Sequence, residues 1–339
     1  MHKRKRGLLL GAALLVLVYI PARPTFACSI CLAGDPIFSE FGTSVQQQGD
    51  FSVYVEVSGW KKRSGVLPGE HEEEAGEEDG EDEHEEDEHE EPFEEADSQR
   101  LDLFLSWTPL DRLSLTLDIP FAFNGITEHE EGDSLSISQN GLGDISASTS
   151  YVLWRNRAVL PSTWVEGRAF LKFPTGASRR ETKGFRDKHV QAGTGSWDFG
   201  FGMAAVHKLD FASLYASVFG RVNTKGSLDY EYGDVVLANL AALVPLGHAT
   251  GQSWLQPFTP GFELNYRWAW KDIFEGEHFD DSGGSILYAT PSLRFELPWF
   301  QGRKAPSLRA AVQIPFTSSW LYGFQDEDVR WTVGFQYLF

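Results

Sequence analysis

The side chains best suited to chemistry crowd into one stretch. Residues 70–97 hold 19 Asp or Glu and no Lys or Arg, with His71, His84 and His89 among the carboxylates. Imidazoles bind transition metals, and clustered carboxylates bind Ca²⁺ or Mg²⁺. A structural metal centre needs fixed ligands, whereas EHEEDEHEE offers many interchangeable ones. The stretch therefore reads first as a self-repelling, solvated loop and second as a weak trap for divalent cations. No other cofactor is expected. Glu128, His129, Glu130 and Glu131 add carboxylates and an imidazole on the next loop. Arg179, Arg180, Lys183, Arg186 and Lys188 form a basic counterpart that can pair with the acidic stretch as a lid.

Cys28 and Cys31 are the only cysteines. In an oxidising compartment a CxxC pair most simply forms a small local disulfide. Leu32 stands where c-type haem attachment requires His, and no further metal ligands lie nearby. A redox or partner-docking role for this segment stays open. Catalysis by a Ser–His–acid set needs a histidine within reach of a serine and an acid. The histidines beyond residue 27 fall almost entirely on loops, so no enzyme is expected. The formal charge of −20 is local: removing the 19 acids of residues 70–97 from the 49 leaves 30 against 29 Lys and Arg.

The remaining charges follow a pattern of alternation. The final stretch, VRWTVGFQYLF, places Val329, Trp331, Val333, Phe335, Tyr337 and Phe339 on one side of a period-2 repeat. Such alternation over about a dozen segments predicts strands near 51–60, 100–107, 112–123, 143–154, 162–173 and 196–206. It continues at 211–221, 234–246, 254–268, 285–297, 307–317 and 329–339, with 234–246 apolar on both faces. The first, third and fifth connections (61–99, 124–142, 174–195) are long, and those between them are short. Trp60, Trp107, Trp154, Trp197, Trp254, Trp268, Trp270 and Trp299 fall near strand ends, where interfacial girdles sit. An even number of alternating strands, with long external loops and short periplasmic turns, predicts an all-β fold: a single outer-membrane β-barrel of about twelve antiparallel strands.

In that fold the polar parity faces the lumen. It carries Glu56, Arg100, Asp102, Asp118 and Asp144, then Glu166, Arg168, Lys172, Asp198 and Arg221, and finally Glu263, Arg267, Arg294, Glu296, Arg309 and Arg330. Early strands lean acidic and late strands basic. The groups either pair across the interior and stiffen it, or set a transverse field across a water-filled pore. About twelve strands allow only a narrow lumen.

The N-terminus supplies the route. Lys3–Arg6, an apolar run from Leu8 to Ile20 and the small-residue site Thr25-Phe26-Ala27 read as a signal peptide over 1–27. Residues 28–50 follow as a periplasmic segment carrying the CxxC, and 51–339 as the barrel, with 61–99 as its acidic external loop. The Leu usual in a lipobox is missing before Cys28.

Several segments occur together in order: GLGD at Gly141–Asp144, LKFPTG at Leu171–Gly176, GTGSWDFGFG at Gly193–Gly202, YGD at Tyr232–Asp234, LYATPSLRFEL at Leu287–Leu297 and the closing VGFQYLF. Across roughly residues 100–339 they resemble the family of outer-membrane transporters named for the MetA pathway of phenol degradation. The resemblance implies a barrel and a channel for small, often apolar or aromatic compounds. Separately, the chain end, closing on Phe339, resembles the C-terminal signal by which the barrel-assembly machinery recognises outer-membrane proteins. The expected function is passive passage of small molecules across the outer membrane. The alternatives are a metal-cation porin using the His/Glu loop, and a structural or redox-partner barrel docking through its CxxC. Expected partners are outer-membrane lipid, the assembly machinery and a small-molecule or ionic cargo, with no nucleic acid.

Overall fold

The computed structural model describes residues 48–65, 93–130, 133–184, 188, 190–278, 282–297, 305–316 and 326–339. The signal-peptide and CxxC readings, His71, His84, His89, Arg186 and Trp299 lie outside them.

Twelve antiparallel strands close on themselves. They are β1 (Phe51–Gly65), β2 (Phe93–Leu110), β3 (Leu113–Glu130), β4 (a broken strand of Asp133–Leu142 and Ser146–Arg155), β5 (Thr163–Lys172) and β6 (Asp198–Lys208). The circuit continues through β7 (Ser213–Val222), β8 (Val235–Leu243), β9 (Phe258–Ala269), β10 (Gly284–Glu296), β11 (Ser307–Pro315) and β12 (Arg330–Leu338). Each strand pairs with the next, and β12 returns to β1 from Ser52↔Leu338 to Gly59↔Trp331. Closure satisfies every ladder without an edge, a requirement for a sheet in lipid.

Burial alternates with the predicted parity. Phe201 is 69% exposed, Met203 54% and Val218 51%, while their neighbours Ala204, Ser217 and Phe219 are buried. In a barrel of this pattern the exposed apolar parity is the face that meets acyl chains. Trp107, Trp154 and Trp254 are exposed near one rim and Trp197 and Trp270 near the other. Trp60 departs from the expected girdle. It faces inward and is 5% exposed, with the Arg330 guanidinium 5.3 Å from its ring centre.

All twelve expected strands are present, but four reach further than alternation alone suggested. β1 runs to Gly65, β2 starts at Phe93, β3 ends at Glu130 and β4 begins at Asp133. The expected loop 124–142 is therefore mostly a β-hairpin that includes Glu128, His129 and Glu130, and both ends of the expected acidic loop are strand. The reason is a change on the outer face. Above the apolar band the outward residues turn polar (Lys61, Asp97, Ser136, Ser138), while the inward ones mix apolar (Ala96, Ile126, Ile137) with polar (Lys62, Ser98, Asn124). A search for one greasy outer face stops where that face becomes wet.

The doubly apolar segment is strand only over β8; Leu246–Thr250 is a short helix at the opposite rim. Its inward side chains explain the second apolar face. Val235 and Leu237 pack with Phe219, Ala269 and Phe170, and Ala241 with Trp164, Val206 and Tyr215.

Candidate lumen and inward-folded loop

The fifteen charged residues expected to face the lumen, and Arg100, all fall on the inward parity of their strands or strand breaks. Arg100 donates to Asp102 (2.5 Å) and Asp118 (3.0 Å), and Ser146 closes on Asp118 at 3.4 Å. Arg168 donates to Glu166 and to the Tyr215 hydroxyl, both at 2.5 Å. Arg309 lies 3.9 Å from Glu56 on one side and 3.3 Å from Glu263 on the other. Arg294 approaches Glu296 at 3.7 Å nearer the rim. Arg221 and Arg267 are half-buried on β7 and β9. Acid and base thus pair in several sectors of the wall. A charge inside a narrow barrel has lost much of its water and is held by such a partner.

Uncharged groups complete the belt. The Tyr54 hydroxyl donates to Glu56 at 2.5 Å. Asn265 donates to Glu263 (3.3 Å) and Asn239 (2.9 Å), Thr290 donates to Asn265 (2.6 Å), and Asn239 reaches Ser217 (3.2 Å). Glu263 and Thr290 are fully buried. A search for charges passed over Tyr54, Tyr215, Asn239, Asn265 and Thr290. Their legible signal is shared parity with the charged residues.

A second centre gathers three of the segments that carried the family resemblance. β4 breaks at Gly143-Asp144-Ile145 opposite Ile119 and Pro120, three residues facing two. Gly143 N–H donates to the Pro120 carbonyl at 2.9 Å. Pro120 has no N–H with which to continue the ladder, and the bulge re-aims Asp144 inward. There its carboxylate accepts from Gly176 N–H (2.8 Å), Thr194 N–H (2.7 Å) and the Thr194 hydroxyl (2.8 Å). Lys172 stands 3.5 Å away and also pairs with Asp198. Cβ atoms at Gly176 and Gly193 would lie within 2.8 Å of neighbouring backbone or carboxylate atoms, so the two arms meet where only glycine fits. GLGD, PTG and GTGSWD are pieces of one junction.

From this junction the β5–β6 connection folds inward as two described arms, 173–184 and 190–197. Val190 is fully buried against Ala96, Ile126 and Ile137, apolar residues on the inner face of the extended wall. Asn124 donates to the Gln191 carbonyl at 2.9 Å. Most of the acidic stretch expected to pair with the basic residues lies outside the described residues; the partners described for them are these. Arg180 donates to the Asn140 carbonyl (2.9 Å), Lys183 to the Ser136 carbonyl (2.7 Å) and Arg179 to Ser227 (3.4 Å). The Lys188 ammonium lies 3.5 Å from the Tyr230 ring centre and 5.6 Å from that of Phe274.

Tyr230 and Phe274 belong to a small three-stranded patch of Tyr230–Glu231, Ile273–Phe274 and Glu277–His278 outside the barrel circuit. Asp272 fastens it, accepting from the Tyr230 hydroxyl and from Gly233 N–H. Among the described residues no group of three or more His, Cys, Asp or Glu is arranged to hold a metal ion.

No protein-family model matches the chain, and no curated protein sequence does. Solved structures do resemble it. An outer-membrane channel from Pseudomonas putida F1 superposes with a TM-score of 0.59 at 15% identity, over 87% of this chain and 97% of that one. The translocator domain of autotransporter NalP from Neisseria meningitidis gives 0.45 at 9% identity, over 88% and 91%. A FadL homologue from Pseudomonas aeruginosa gives 0.36 at 10% identity, over 86% and 89%. The first of these likenesses is one of fold.

Proposed function

We propose that the protein is an outer-membrane channel for passive passage of small molecules, of the kind the MetA-pathway resemblance implies. The carrying observation is the polarity of the closed barrel: apolar side chains outside, and inside a continuous lining of paired charges and amides from Glu56 through Arg309, Glu263 and Asn265 to Ser217. A barrel stabilised only as a lipid-facing shell has no need of so polar an interior. The fold shared with the Pseudomonas putida channel supports the same reading.

The preference for small apolar or aromatic solutes is supported by one sector of the inner surface. Phe170 and Phe219 meet edge to face at 6.3 Å beside Leu237, next to the Arg168–Tyr215 pair. An aromatic solute could slide along such rings while its polar end keeps hydrogen-bonding partners. The cation-uptake and partner-docking readings rest on residues 28–31 and 70–92, outside the described structure.

Reconstitution in planar bilayers tests the proposal. Discrete conductance steps, together with liposome uptake of small phenolic solutes faster than that of equally sized sugars, are expected. A purified, folded barrel that produces neither would remove the channel reading.

A further inference from the structure

We propose that the two arms 173–184 and 190–197 form the constriction of this channel, and that Asp144 is the residue that positions them. The inference rests on the channel reading above and adds where the bore is set and by what.

The geometry is that of a bridge. Val190 is seated on the inner faces of β2, β3 and β4. Two residues earlier, Lys188 lies over Tyr230, between β7 and β8, and near Phe274, between β9 and β10. Both rings sit on connections outside the barrel circuit, so contacts only two residues apart tie the inner wall of β2–β4 to the chain that leaves β7 and β9. Further ties hold the arms to the β7–β8 connection: Ser227 N–H donates to the Thr194 carbonyl at 2.9 Å, and Ser178 and Ser227 hydroxyls meet at 2.7 Å.

What fixes the bridge at its root is one carboxylate. Gly176 on the outgoing arm and Thr194 on the returning arm donate to separate oxygens of Asp144, Oδ1 and Oδ2. The carboxylate thus ties the two arms to each other as well as to the wall. Hydrogen bonds to a charged acceptor are the stronger kind, and none of these three can form to an alanine. Asp144 itself is 8% exposed, so water cannot readily take over its role. The sequence solves the close approach with glycine: a Cβ on Gly193 would meet Asp144 Oδ1 and the Gly176 Cα at 2.6 Å.

The experiment measures single-channel conductance in planar bilayers and the largest sugar admitted in liposome swelling. It compares the full chain with Asp144→Ala, Asp144→Asn, Gly193→Ala and Thr194→Val. Folding of each is checked by the shift in gel mobility on heating. Asp144→Ala removes the tie, and Gly193→Ala forces the arms apart while leaving every charge in place. Both are expected to raise conductance severalfold and to admit larger sugars. Asp144→Asn keeps one acceptor and should fall between, as should Thr194→Val, which keeps the backbone N–H bond to Asp144 but loses the hydroxyl contacts with Asp144, Lys172 and Ser196. Lys61→Ala, at an exposed pair with Glu95 on the outer face of the wall, should leave the bore unchanged.

If Asp144→Ala fails to fold, the other three variants carry the test, with Gly193→Ala expected to exceed Asp144→Asn and Thr194→Val. A conducting wild type whose folded variants keep its conductance and sugar limit would overturn the constriction alone. Silence of the wild type and every variant would overturn the channel reading, and this inference with it.

Discussion

Phe51 and Phe339 lock the seam of the barrel. Phe339 N–H donates to the Phe51 carbonyl at 2.7 Å, and their rings lie 5.6 Å apart on the lipid-facing side. Tyr337 meets Phe339 edge to face at 4.6 Å, so the closing strand ends in an aromatic cluster at the rim. The first and last strands bear the whole circumference of the closed ladder at this point.

Replacing Phe339 should therefore impair assembly more than transport. Phe339→Ala is expected to lower the fraction of heat-modifiable barrel recovered in outer membranes, while the surviving protein keeps wild-type conductance. Normal folded yield with altered ion selectivity would contradict the assignment.

The Arg309 pairings predict a large stability effect. Glu263 is fully buried and Arg309 is 4% exposed, so Arg309→Met takes this cation from one buried carboxylate, which keeps the Asn265 amide, and weakens the hold on a second, Glu56. Removing one partner of a buried pair typically costs about 3–5 kcal/mol. Urea-induced unfolding in lipid vesicles should show a loss of that order. The double variant Arg309→Met/Glu263→Met should recover part of it, because the buried carboxylate that lost its cation is then gone as well.

A steric prediction concerns Gly334. The Tyr54 side chain lies flat across it, and a Cβ there would overlap the phenol ring and hydroxyl. An aromatic covering a strand glycine is a known device for filling the space beside a missing side chain. Gly334→Ala should displace Tyr54 from Glu56 and cost about 1–3 kcal/mol, as overpacking usually does. Gly334→Ala combined with Tyr54→Phe should show the hydroxyl share, and Tyr54→Ala should relieve the clash.

The barrel was legible because lipid imposes one rule on every spanning strand. Phe199, Phe201 and Met203 must alternate with Asp198, Gly200 and Gly202 whatever the interior does, and the inward charges could be named from that parity. The extension of β2–β4 was hidden because Asp97, Ser136 and Ser138 are polar on the outer side, against the rule that holds lower down. The Asp144 junction was hidden for another reason. Its partners, Gly176 and Thr194, are neutral loop residues that donate two backbone N–H groups and one hydroxyl, a donor set too common to announce a carboxylate 32 and 50 residues away. The PTG and GTGSWD segments marked the place without stating the contact.

Arg330 separates selectivity from assembly. It sits on the same closing strand as the seam aromatics, but on the opposite parity, half-buried with its guanidinium over Trp60. Its register partner on β11 is Gln313, and on the β1 side Trp331 faces Gly59, so the ladder needs nothing from its side chain. Losing the cation–π contact should cost roughly 0.5–2 kcal/mol. Arg330→Gln is therefore expected to assemble at wild-type yield. With one inward positive charge removed, the reversal potential under a salt gradient should move towards cation preference, more at low ionic strength than at high, because salt screens a lumenal charge. A reversal potential identical to the wild type at low salt would mean that Arg330 does not face the conducting path. Paired with Phe339→Ala, which should alter yield and leave selectivity alone, the variant divides the last strand into an assembling face and a transporting face.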